Sequence, residues 1–166
     1  MSVTEANVAK GINYWRLLAE ANTAEETALP WLAIQGSWLP GFVRGAVMLW
    51  EASSKSFKVV SRWPVADNGS DLIKIAAEKA VQERKGVIQH GAQGEDNGVS
   101  IALAYPLTHH GQVVGVAVCE ISSPDDGTWL SLMRKEQQVL SADAALRNIM
   151  RQMQWGKVWL EYALYR

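Results

Sequence analysis

The chain has 166 residues, 16 basic and 17 acidic side chains, a net charge of −1, and an apolar content of 48%. That is one domain of ordinary size, and the near-neutral balance excludes a general nucleic-acid binder, which needs a basic surplus. A single cysteine, Cys119, excludes an internal disulfide or a paired-cysteine metal site. No apolar run reaches the ~20 residues of a membrane-spanning helix, and the first residues lack the basic start and apolar stretch of a signal peptide. The expectation is a soluble, cytoplasmic, single-domain protein. Its aromatic residues are unevenly divided, with eight Trp against two Phe and four Tyr.

Residues 4–21 place Val8, Ile12, Trp15, Leu18 and Ala19 at helical spacing, an amphipathic helix. Thr23 followed by Glu26 fits a capping box that starts a second helix running to Trp38, with Leu29, Leu32 and Gly36 on one face. Pro30 should bend that helix or delay its start. The period then changes to alternation over 42–52 and 57–64, a hairpin around Ser53-Ser54-Lys55-Ser56. Helical spacing returns over 71–84, with Leu72, Ile75, Ala76 and Ala80 on one side and Gly86 as the stop. A short strand at 87–90 leads into the flexible acidic loop 91–98.

The next hairpin, 100–108 with 113–121, turns at His110-Gly111. A two-residue turn there sets Leu107 against Val114, Tyr105 against Val116 and Leu103 against Val118. The other face then holds Pro106 with Gly115, Ala104 with Ala117 and Ala102 with Cys119, so one face is bulky and one small. The small face admits a closely packed helix or a ligand cavity, packing being the commoner outcome. A final helix of roughly 35 residues starts near Thr128 and carries Leu132, Val139, Leu146, Met153 and Leu160 at intervals of seven, a bundle seam that should pack on the first helix. Gly156 weakens it.

Catalytic motifs are absent: there is no HExxH, P-loop or nucleophile elbow. His109 and His110 should splay at the hairpin tip, too far apart in direction to share a metal. Cys119 reads as a small buried filler, inert because an apolar setting raises a thiol's pKa. Glu120, with Ile101 as register partner, is either an exposed edge residue or a polar group in a pocket. The run Asp67-Asn68-Gly69-Ser70-Asp71 reads as a turn and N-cap that also stands near the mouth of any cavity under the third helix. No metal or cofactor is expected, and no enzymatic activity.

The order of elements, together with Ala102-Leu103-Ala104-Tyr105-Pro106-Leu107, Gly111 and Val114-Gly115-Val116, resembles a GAF domain. That resemblance implies an α+β fold, GAF-like (profilin-like), with a central antiparallel sheet and the N- and C-terminal helices packed on one face. A small-molecule pocket would lie on the other. Trp31-Leu32-Ala33-Ile34-Gln35, Leu39-Pro40-Gly41, Trp63-Pro64 and Gln154-Trp155-Gly156 look like the cytoplasmic GAF domain N-terminal to a membrane segment in HlyD-type membrane-fusion proteins of bacterial export systems. On this reading residues 1–150 form the GAF-like domain and 151–166 a connector to a downstream module, the membrane being reached only through that module. The resemblance implies a sensory module with an unidentified small molecule as ligand and a homodimer through the terminal helices. Its alternative is an assembly module that binds no ligand. The signature of cyclic-nucleotide-binding GAF domains is absent, as is a cysteine in the middle region to attach a bilin. The candidate pocket residues are Trp50 and Trp63, expected to approach each other in the first hairpin, with Asp67, Asp71, Tyr105 and Glu120.

Overall fold

The computed structural model describes residues 12–65, 69–91, 99–123 and 139–166. Side-chain caps set the helix starts. Asn13 accepts from the Arg16 N–H at 3.1 Å and opens α1 (Tyr14–Glu20). Thr23 Oγ1 accepts from the Glu26 N–H at 3.1 Å to open α2 (Ala24–Trp38), and the Glu26 carboxylate reaches back to the Asn22 N–H at 2.9 Å. This is the capping box read from the sequence, displaced by one residue on its return arm. Pro30 neither delays nor ends α2, which is continuous from Ala24. The buried side of α1 is Tyr14 and Leu18, four residues apart; Ile12 and Trp15, expected to face inward, are exposed. Val8 lies outside the described residues.

Five strands follow: β1 (Phe42–Glu51), β2 (Ser56–Trp63), β3 (Val87–His90), β4 (Val99–His109) and β5 (Gln112–Ser123). They form one antiparallel sheet in the order β2-β1-β5-β4-β3. The β4–β5 hairpin turns at His110 and Gly111, both with positive φ, as the two-residue turn requires. The expected register fails one step further in. Thr108 pairs with Val113 but Leu107 pairs with Gly115, so Val114 is an extra residue and the ladder slips by one. Tyr105 therefore faces Ala117, Leu103 faces Cys119, and Glu120 pairs with Ala102 rather than Ile101.

Each face consequently combines large with small side chains. On one, Ile101, Leu103 and Leu107 of β4 stand beside Gly115, Ala117 and Cys119 of β5; on the other, Ala102 and Ala104 stand beside Val116 and Val118. A large residue opposed by a small one keeps both faces level, so helices can lie flat on each. The first face carries α1, α2 and α4 (Val139–Tyr165), and the second carries α3 (Asp71–Glu83). This is the expected α+β arrangement, with N- and C-terminal helices on one side of the sheet.

α2 occupies the middle of its layer and is buried almost all round from Thr27 to Gln35. α4 packs on α2 and β4 rather than mainly on α1. The Trp31 indole N–H donates to the Gly156 carbonyl at 2.7 Å. A Cβ at Gly156 would stand 2.7 Å from the Gln35 amide, so this glycine marks a close helix crossing rather than a weak point. Leu146, Met153 and Leu160 of the heptad row pack into the core; Leu132 lies outside the described residues. α4 passes residue 150 unbroken, and two of its fully buried side chains lie beyond that position. Its side is fixed by Glu161, which accepts from Thr108 N–H at 2.7 Å and Oγ1 at 2.9 Å, and by Lys157, which donates to Pro106 O at 3.0 Å. The Arg166 guanidinium donates to the carbonyls of Leu18, Ala19 and Ala21 at 2.9–3.2 Å, closing the C-terminal end of α1.

α3 starts at Ser70, whose hydroxyl accepts from the Ile73 N–H at 3.3 Å, and ends at Arg84 in the left-handed region rather than at Gly86. Its buried side is Ile73, Ala76, Ala77 and Ala80; Ile75, expected inward, is half-exposed. The alanines meet Ala102 and Ala104, so the small residues serve close packing.

The level packing at the slipped ladder makes a prediction. A Cβ at Gly115 would fall 2.5 Å from the Met48 carbonyl oxygen and 2.6 Å from Leu49 Cδ2. Gly115→Ala should lower unfolding free energy by about 1–3 kcal/mol through overpacking, read from a urea titration.

Candidate ligand groove

α3 lies over β3, β4 and β5 and reaches Ala46 of β1, and beyond it the same face of β1 and β2 lines an open groove. The resulting groove has a volume of about 750 Å³ and is open along one side, within the range of roughly 300–1,000 Å³ usual for small-molecule sites. Its floor is Ala46, Met48 and Val116, and its wall is Ile73, Ala77 and Val81 of α3. At the rim Trp50 and Phe57, opposed across the hairpin, meet edge to face with ring centroids 5.2 Å apart. Arg62 of β2 and Lys74 of α3 line the groove with Ser70 and Asp71. The combination of an apolar floor, an aromatic pair and a few polar groups suits a ligand that is in part flat and apolar.

The end of the groove at the start of α3 is tied to the sheet. Glu120, buried except for 8% of its surface, receives the Ser70 hydroxyl at 3.1 Å. The Arg44 Nε lies 3.0 Å from the same carboxylate oxygen, an ion pair without hydrogen-bond alignment, and Arg44 Nη1 donates to the Gly69 carbonyl at 3.1 Å. Ser70 therefore caps α3 with one lone pair while donating its proton to Glu120. The slip at Val114 puts Glu120 on this face.

The candidate residues divide accordingly. Trp50 and Asp71 line the groove, and Glu120 stands behind its polar end through Ser70. Trp63 does not approach Trp50: it pairs with Gly45 at the far end of the hairpin, lies in the helix-side core and meets Tyr14 edge to face at 5.6 Å. Tyr105 also faces the helices, donating to the Met150 carbonyl at 3.3 Å, with burial raising its phenol pKa. Asp67 lies outside the described residues. Met48, Phe57, Arg62 and Lys74 were not singled out from the sequence. Phe57 was out of reach as well: a turn at 53–56 sets it opposite Ala52, whereas the turn falls at 52–55 and sets it opposite Trp50.

The remaining chemical candidates sit elsewhere. Cys119 is fully buried on the helix side, and burial pushes its thiol up to about 12. The His109 and His110 rings do not splay; their centroids are 4.0 Å apart because His110 adopts positive φ, and His109 stacks on Tyr165 at 4.0 Å. Among the described residues no three His, Cys, Asp or Glu gather to hold a metal, and no helix is long and apolar enough to cross a membrane.

Two outcomes follow. The Cys119 thiol should resist Ellman's reagent at pH 8 in the folded protein and react fully in denaturant, because so little thiolate forms below a pKa of about 12. Arg44→Ala should cost about 2–3 kcal/mol in chemical denaturation, since among the described residues it leaves the buried Glu120 carboxylate with the Ser70 hydroxyl alone.

No family model and no curated protein matches the sequence. Among solved structures the chain is similar to the GAF domain of Acinetobacter phosphoenolpyruvate-protein phosphotransferase, with a TM-score of 0.48 and 12% identity over 99% of this chain and 94% of that one. It is also similar to a GAF domain/HD domain protein from Geobacter sulfurreducens (TM-score 0.45, 13% identity, 80% of this chain and 88% of that one). A third is the ligand-binding domain of the Pseudomonas aeruginosa PAO1 amino acid chemoreceptor PctC in complex with GABA (TM-score 0.40, 20% identity, 72% of this chain and 52% of that one). These are resemblances of chain arrangement only. The arrangement is itself GAF-like: a central antiparallel sheet, terminal helices on one face, and α3 with its groove on the other.

Proposed function

We propose that the chain is a non-enzymatic regulatory module that binds a small molecule in the groove between α3 and the β1–β2 hairpin. The observation that carries this reading is the groove itself, an open apolar space of about 750 Å³ beside a helix that is otherwise closely packed on alanines. The route from ligand to helices is short. Gly45 borders the groove, and a Cβ there would stand 3.1 Å from Leu32 of α2, so only the thickness of β1 separates the occupant from the central helix. A ligand shifts the module only by the difference in its affinity for two states, commonly about 1–3 kcal/mol. On the sequence resemblance, the neighbour receiving that shift is an export-type membrane-fusion protein.

A second reading, an assembly module that binds no ligand, draws on Trp15 and Trp38. Both are about half-exposed, and they pack on each other with centroids 5.3 Å apart on α1 and α2.

The groove is tested by thermal shift across a panel of small metabolites, with native mass spectrometry of protein purified from cells. A ligand at 100 times its Kd should stabilise the fold by about 2.7 kcal/mol. Met48→Trp, which fills the floor, should abolish that stabilisation while the unliganded protein still melts cooperatively. A bare mass and no stabilisation by any compound would leave the assembly reading in its place.

A further inference from the structure

The inward face of α4 is accounted for by the core, but its outward face is not. Trp155 is 70% exposed, Trp159 61%, Tyr162 65% and Val158 50%. These positions follow a spacing of three and four, so they form one stripe along the helix. The stripe continues one and two turns earlier with Arg151 and Arg147, both exposed and without an ion-pair partner among the described residues. Glu161 is the sole acidic residue between Arg147 and Arg166, and it is turned away to Thr108 and Lys157. The exposed stripe is therefore aromatic at one end, cationic at the other, and free of negative charge.

We infer that this outward face of α4 docks on an anionic lipid surface. A second copy of the chain fits it less well. A fully buried aromatic side chain contributes roughly 150–250 Å². Three that are already partly covered, with one valine, fall short of the about 800 Å² per partner of a standard interface. A second copy would also bring the same stripe, offering no carboxylate to Arg147 or Arg151. Phosphate headgroups supply that negative charge. Trp and Tyr are the side chains that rest at the boundary between headgroups and acyl chains, with an apolar ring inward and a polar edge in water. A helix lying in the plane of the interface with aromatic residues and arginines presented to it has the chemistry of peripheral membrane binding. This inference does not depend on what the groove binds.

The test is flotation of the 166-residue chain with vesicles of phosphatidylcholine alone or of phosphatidylcholine with phosphatidylglycerol. The chain should float with the anionic vesicles and stay behind with the neutral ones, and high salt should release it. Trp155→Ala/Trp159→Ala and Arg147→Glu/Arg151→Glu should each reduce the bound fraction about tenfold or more. Both replace exposed side chains, so circular dichroism and melting should be unchanged. Equal binding to neutral vesicles, no binding to anionic ones, or binding untouched by either double variant would overturn the inference. So would a sedimentation mass that Trp155→Ala/Trp159→Ala halves, which would assign the face to a second copy.

Discussion

One residue without a partner decides what each face of the sheet can hold. Val114 is the extra residue of the β4–β5 ladder, and the slip it introduces fixes the cross-strand pairs from Leu107 to Val99. With the slip in place, Leu103 and Tyr105 turn to the helices beside Cys119 and Ala117, while Ala102 and Ala104 turn to α3. Moving the ladder back by one would set large against large on one side and small against small on the other. Neither surface would then be level enough for helices to pack closely.

The polar end of the groove depends on the same constraint. Glu120 faces α3, where the cap of that helix and the Arg44 guanidinium meet it, and the turn at Gly69 and Ser70 is held by that meeting. A helix resting on alanines sits low against the sheet. α3 sits low over β3–β5 and reaches no further than Ala46 and Met48 of β1, and the outer part of the β1–β2 face beside it is the groove. Close packing and open space are thus two results of one placement.

Much of this was readable from the chain and some was not, for identifiable reasons. The element order, the His110-Gly111 turn, the Thr23–Glu26 box and the cap before α3 are local, and local chemistry sets them; the first hairpin turn falls at 52–55, one residue earlier than its Ser-rich run suggests. The two bulges, at Val60 and Val114, are not local. An added valine leaves composition and apolar alternation almost unchanged, and only packing against helices from elsewhere chooses the register. The same limit hid Arg62, whose side of β2 depends on the first bulge. Trp63 is a different case: pairing counted outward from the turn already separates it from Trp50, and aromatic character alone was a poor guide to proximity. For α1, spacing set Ile12, Trp15 and Leu18 inward together, and the contact of Tyr14 with Trp63 from a distant strand turns Tyr14 and Leu18 to the core instead.

The guanidinium of Arg166 gathers three carbonyls at the end of α1, 145–148 residues away in sequence. The last turn of α4 and the last turn of α1 are therefore clasped, and both lean on α2, which is enclosed between them and the sheet. The ends of the helical layer are thus joined through one side chain at the last residue of the sequence shown. Removing that guanidinium would return the three carbonyls to water and part the ends of α1 and α4, while the contacts each makes with α2 stay in place.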